Sequence, residues 1–223
     1  LQDYASYVRE GRDLPLVDFR SRHSAATEAV GYGKTLMGFH MLRRKLGDDR
    51  FRAWAAGFYR EMRGRKASFA DVRRTMEAVF GEGEEKNLGR FFRDWTERPG
   101  AAALAVEVVE VAAVDTAGAG FEVRGTLRQT QGGEPFALDV PVAIQTTGVT
   151  VVESLRLEAA AMPFALRVPA RPLALQVDPS FDLFRRLDPR EIPASIGQIF
   201  GEPRLLAVVP AGAKPEEAAA WRT

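Results

Sequence analysis

Apolar residues change their spacing once along this 223-residue chain, near Pro99-Gly100. Before that point they recur at helical intervals; after it they alternate with polar residues. Residues 1–12 read as the end of a helix with Tyr4, Tyr7 and Val8 on one side, and Pro15 marks a linker. The spacing then predicts a helix over about 24–46. Its middle, from Gly31 to Leu42, is apolar almost all round, which predicts a buried helix. Gly31, Gly33 and Gly38 lower its helix propensity and would let a neighbouring backbone come close. Arg43, Arg44 and Lys45 suit the negative end of the helix dipole, and Gly47 is the expected stop. Asp48 or Asp49 can cap the next helix, where Phe51, Trp54, Phe58 and Met62 form one stripe. Ser68-x-x-Asp71 opens a third helix with Val72, Met76, Val79 and Phe80 inward. A charged loop over 81–87 leads into a short helix carrying Leu88, Phe91, Phe92 and Trp95 at i, i+3, i+4 and i+7.

Beyond Gly100 the period is two. Phe121, Val123, Gly125 and Leu127 form one face of a strand, and Phe136, Leu138, Val140, Val142 and Ile144 another. Phe164, Leu166 and Val168 repeat the alternation, as do Leu173, Leu175 and Val177. The phase slips between Val108 and Val109, which predicts a bulge. Breaks at 118–120, 132–133, Gly148 and Pro163 come at strand length, so six short strands in an antiparallel β-sandwich are expected. Pro169 and Pro172 fit a sheet edge or a connection. The tail reads as a helix over 192–200, a strand over 204–210 and a helix opening at 214–221. The fold class is therefore an α+β multidomain fragment: a helical bundle over 1–100, the sandwich over 101–180 and a short α/β tail over 181–223. A lone strand and helix cannot cover their own apolar faces, so the tail is expected to open a further domain.

Composition narrows the chemistry. With no Cys, the chain has no disulfide framework, no thiolate zinc finger and no cysteine nucleophile, and its compartment, cytoplasm or envelope, stays open. No apolar run reaches the length of a membrane span. Between Met41 and Arg98 there are 15 Lys/Arg against 10 Asp/Glu, a net of +5. The arginines alternate with acids and carry no nucleic-acid signature, so solvated helix faces are expected rather than a nucleic-acid partner. Gly33-Lys34-Thr35 is not a phosphate loop, since Glu28 stands where the motif needs Gly. His23 and His40 have no carboxylate at ligand spacing, so no metal site is expected within the chain. Tyr32, on a helix read as buried, would ordinarily be a core residue with its hydroxyl satisfied.

The run from Val30 to Phe51, with Tyr32-x-Lys34, Met41-Leu42, Leu46-Gly47-Asp48 and Phe51, resembles the Y-x-K-G … M-L-r-x-x-L-G-d-x-x-F segment of zinc aminopeptidases of the aminopeptidase N and leukotriene hydrolase type, the gluzincins. Phe58-Tyr59 and Ser68-Phe69 resemble that family's next two helices. Leu88-Gly-Arg-Phe-Phe-Arg-Asp-Trp95 resembles its D-L-x-x-F-F-x-x-W element, and Arg98-Pro-Gly100 followed by Leu104 resembles its lead-in to a β-sandwich. The likeness covers about residues 13–178. Thr35 stands where the family has Gly, Ala102 where it has Pro, and 82–87 reads as an insertion.

That resemblance implies a C-terminal fragment of a bacterial metallopeptidase, with residues 1–100 the helical end of a thermolysin-like catalytic domain. The H-E-x-x-H segment and a later Glu would hold zinc upstream of Leu1, in an N-terminal catalytic half missing here. No cofactor or metal residue falls in this chain, and by itself it would hydrolyse nothing. The family's Y-x-K tyrosine maps onto Tyr32, whose hydroxyl would stabilise the oxyanion formed from a peptide substrate. Exposed apolar surface left by the missing half would favour a fragment dimer. The alternative reading is a non-enzymatic interaction or scaffold module, with Tyr32 in its core.

Overall fold

Ser24 begins a helical run of 22 residues: α2 (Ala25–Glu28), a π-helical turn (Ala29–Lys34) and α3 (Thr35–Leu46). The Ser24 hydroxyl accepts the Thr27 N–H at 3.2 Å while the Thr27 hydroxyl oxygen accepts the Ser24 N–H at 2.9 Å, a reciprocal cap. The computed structural model describes residues 1–8, 13–80, 85–114 and 120–192 with Gly212 and Lys214, and residues 85–87 and Val108 for the main chain alone. The expected tail helices and strand over 192–221 lie outside the described residues, apart from Ile192, Gly212 and Lys214.

The first helix, α1 (Gln2–Tyr7), precedes this run. Gly47, at φ 80°, ends α3 and starts α4 (Asp48–Met62). Asp48 does not cap α4, because both its oxygens accept from Arg43, at 2.8 and 2.7 Å. Trp54 and Met62 are buried on the expected stripe. In α5 (Phe69–Phe80) the Ser68–Asp71 box forms as read, Ser68 N–H donating to Asp71 at 3.0 Å and Asp71 N–H to the Ser68 hydroxyl at 3.3 Å. Val72 and Met76 face inward, whereas Val79 is exposed. Helix α6 (Glu85–Phe92) starts inside the expected loop and passes into a second π-helical turn, Arg93–Glu97.

Among the described residues six antiparallel strands follow: β1 (Leu104–Ala113), β2 (Phe121–Gln129), β3 (Leu138–Thr146), β4 (Val151–Leu157), β5 (Ala161–Val168) and β6 (Pro172–Val177). They form two three-stranded sheets, ordered β1-β2-β5 and β4-β3-β6, so the chain is α+β. Leu127 and Phe164 of one sheet share a buried cluster with Leu138, Val140, Val142 and Leu157 of the other. The β1–β2 register shifts between Glu107 and Glu110, where the sequence phase slips. Pro163 does not break the chain: it pairs with Thr126 inside β5, an edge strand that tolerates a missing N–H. Leu173 is 64% exposed, on the edge strand β6 where the β3–β6 register shifts between Gln145 and Thr146 and leaves it outside the pairing.

Residues 1–188 form one unit, and 189–223 form a second in which Pro189–Glu191 makes a single 3-10 turn. The division follows Asp188 rather than residue 180, because residues 181–188 fold back into the first unit. There Phe184 packs edge-on to Tyr4 at 4.8 Å and to Trp95 at 5.9 Å. Arg186 N–H donates to the Ala102 carbonyl at 2.7 Å. Asp178 anchors this return, accepting from Asp182 N–H at 2.7 Å and from Arg185 Nε at 2.8 Å. Burial raises the Asp178 carboxyl above the usual range, against the opposing pull of Arg185.

Trp95 joins helices to strands. Its indole stacks on Phe136, just before β3, at 4.6 Å and 19° between planes. Beside it the fully buried Asp94 accepts from Arg98 at 3.0 Å and from the Ala137 N–H at 3.2 Å. Replacing Trp95 with Ala is expected to cost about 3–5 kcal/mol. Urea unfolding followed at helix- and strand-sensitive wavelengths would show a single earlier transition. A loss below about 1 kcal/mol, or separate transitions for the two signals, would contradict this packing.

Candidate functional site

Tyr32 lies in the first π-helical turn, and its side chain is 60% exposed. The helix is therefore not buried all round as its composition implies. Tyr32 and Leu36, which is 70% exposed, form an open i, i+4 stripe. Among the described residues the Tyr32 hydroxyl has no hydrogen-bond partner, and its ring lies edge-to-face to that of Phe19 at 5.8 Å and 73°.

Gly31 explains that contact. A Cβ at Gly31 would lie 2.2 Å from Phe19 Cε2 and 2.3 Å from Cζ, so the aromatic edge occupies space that another residue would fill. The close approach is by a side chain, not by a backbone. Gly33 and Gly38 admit nothing, since a Cβ at either meets no atom within 4 Å.

Two positions after Tyr32, Lys34 turns inward and is 1% exposed. Its Nζ donates to the carbonyls of Arg98 at 2.7 Å and Gly100 at 3.1 Å, so it ties the tyrosine-bearing turn to the segment leading into β1. Burial lowers the Lys34 amine from 10.5 to about 8, a nearby Asp13 pulling upward and Arg98 adding to the fall. Asp13 holds the same segment from the other side, accepting from the Gly100 N–H at 2.6 Å and from the Tyr4 hydroxyl. Burial, followed by Asp13, pushes the Tyr4 phenol up. Sequence reading missed Lys34 and Asp13 as joints. The available signal was a lysine set in an otherwise apolar helical stretch.

Other candidates disperse. His23 bonds Ser21 at 2.7 Å and His40 bonds Asp182 at 2.7 Å. Among the described residues no three His, Cys, Asp or Glu side chains converge. Several arginines of the basic stretch bind carboxylates, Arg43 on Asp48, Arg73 on Glu77 and Arg74 on Glu61. A cleft of about 450 Å³ lies between α3 and the β3–β4 pair, and along it Arg156 pairs with Asp139 and Asp182 with His40. A second, of about 480 Å³, lies beside Asp13, Arg98 and Gln131. Tyr32 lines neither. Among the described residues no helix is long and apolar enough to cross a membrane.

Two outcomes follow from this geometry. Because the folded-state value of Lys34, about 8, lies below its ordinary 10.5, the unfolded chain holds a proton that the folded chain has released between those pH values. Stability should therefore climb as pH rises through that window, by on the order of 3 kcal/mol from this group. Urea titrations from pH 7.5 to 10.5 would show the climb in the native chain and lose it in Lys34→Met; equal slopes would contradict it. Gly31→Ala should destabilise, since overpacking costs about 1–3 kcal/mol. In a Phe19→Ala background the same change should stabilise by up to about 1 kcal/mol, through helix propensity alone. Thermal melts of the four variants check the reversal of sign; additive effects would contradict it.

No family model and no curated protein matches the chain. Among solved structures it is similar to aminopeptidase A of Legionella pneumophila, determined in complex with aspartic acid, with a TM-score of 0.52 and 16% identity. The match covers 80% of this chain and 21% of that one, so the chain spans about a fifth of that protein. The likeness is one of fold alone: helices followed by paired antiparallel sheets.

Proposed function

We propose that this chain is the C-terminal part of the catalytic domain, with the following sandwich, of a zinc aminopeptidase-like protein of the gluzincin type that hydrolyses N-terminal peptide bonds. The observation that carries this reading is Tyr32: a phenol exposed on one side of a helix whose opposite side is clamped by Lys34. The fold likeness and the order of the resembling segments support it.

In this proposal the Tyr32 hydroxyl donates a hydrogen bond to the carbonyl oxygen of the scissile peptide as negative charge develops there. A donor already in place stabilises the transition state more than the ground state, where that oxygen is nearly neutral. The clamp at Lys34 supplies the rigidity that such preorganisation needs. Zinc, which the resemblance implies, would be bound by residues outside this chain, and its chemistry there would be polarisation of the carbonyl and activation of water.

The alternative, an interaction module without catalysis, draws on the same open Tyr32–Leu36 stripe, which would also favour self-association of the isolated chain. Kinetics separate the two. In the intact parent, Tyr32→Phe is expected to lower kcat roughly 10²–10³-fold with KM little changed. The chain alone should release nothing from an aminoacyl-anilide. An unchanged kcat in Tyr32→Phe, or chelator-sensitive hydrolysis by the chain alone, would contradict the proposal.

A further inference from the structure

We infer that Phe19 is the positioning residue for Tyr32, holding its phenol in one orientation on an otherwise open helix face; the catalytic consequence rests on Tyr32 acting as the oxyanion donor. An exposed tyrosine on a helix has two accessible χ1 wells, since the third drives the ring into the preceding turn. Only one well can aim the hydroxyl at a given point. Neither hydrogen bonding nor burial makes that choice here, because the hydroxyl has no partner among the described residues and the side chain is 60% exposed. The ring contact that the structure shows for it is with Phe19, edge-to-face at 5.8 Å.

Phe19 is itself seated. It follows a 3-10 turn, Leu16–Asp18, pinned by the buried Leu16, and its N–H donates to the Leu16 carbonyl at 3.1 Å. Three of its ring carbons lie 2.2–2.6 Å from where a Gly31 Cβ would stand, so the ring rests directly on the helix backbone. Any larger residue at 31 would push it off. The residue before the tyrosine is thus the seat of the ring that orients it, and the π-helical turn carries both.

If the phenol is released to sample both wells, the correctly aimed fraction falls about two- to threefold, and so should turnover, far less than on removing the hydroxyl. Binding of the ground state should not change. The first test uses the 223-residue chain with labelled tyrosine. Side-chain couplings are expected to show a single χ1 rotamer for Tyr32, with a ring-current shift from Phe19. Phe19→Leu should average the couplings and abolish the shift, and Gly31→Ala, which displaces the same ring without replacing it, should do likewise. Averaged couplings in the unsubstituted chain, or a single rotamer retained in both variants, would overturn the inference. The second test uses the intact peptidase, where Phe19→Leu should lower kcat two- to threefold at constant KM and have no effect in a Tyr32→Phe background. An equal loss in both backgrounds makes Phe19 merely structural and overturns its positioning role. A Tyr32→Phe variant with unaltered kcat overturns instead the donor reading, and with it the catalytic consequence, while the rotamer measurement still decides the ring contact.

Discussion

A buried amine bonded to two carbonyls sets the geometry of this unit. Lys34 leaves a helix that is mostly apolar and reaches the main chain at Arg98 and Gly100, where the last helical turn hands over to the first strand. Removing a lysine from water is costly, and the lowered basicity of this one is the measure of that cost. The two carbonyl bonds and the nearby Asp13 offset it. Because the linkage is short and directional, the helix cannot rotate about its axis without breaking it. Trp95, Phe136 and Phe184 fill the space alongside, so helices and sheets are packed as one body rather than strung on a linker.

This constraint has a consequence on the opposite side of the same helix. With Lys34 fixed inward, Tyr32 and Leu36 face out. A helix that is apolar on nearly every side thus carries an open stripe at Tyr32 and Leu36. The π-helical turn adds a residue to one turn and so changes the angle between Lys34 and Tyr32 from that of a regular helix. The proposed donor thus has the joint behind it and the Phe19 ring at one side.

Local physics made much of the fold legible in the sequence. The Ser24 start, the Ser68–Asp71 box, the Phe51-to-Met62 stripe and the bulge after Glu107 each depend on residues a few positions apart, and each is present. Where sequence and structure differ, the deciding contacts are ones that local spacing does not encode. Periodicity records which residues can be buried, not what covers them, so Leu36 and Leu173 read as core and are exposed. Asp48 could have capped α4, but Arg43 across Gly47 offered two charge-assisted bonds instead. Tyr32 was found through the pattern around it, whereas Phe19, Lys34 and Asp13 acquire meaning only when separate chain segments are brought together.

The joint at Lys34 makes the tyrosine-bearing helix as stable as the strands it is tied to. Native-state hydrogen exchange across urea concentrations tests it most directly, by comparing amides in the middle of α3 with amides in the middle of β3. If the joint binds them into one body, both sets exchange through the same opening, with equal free energy and equal urea dependence. If α3 opens at lower free energy while β3 stays protected, the helix is only resting on the sheets, and the account of how Tyr32 is held fails.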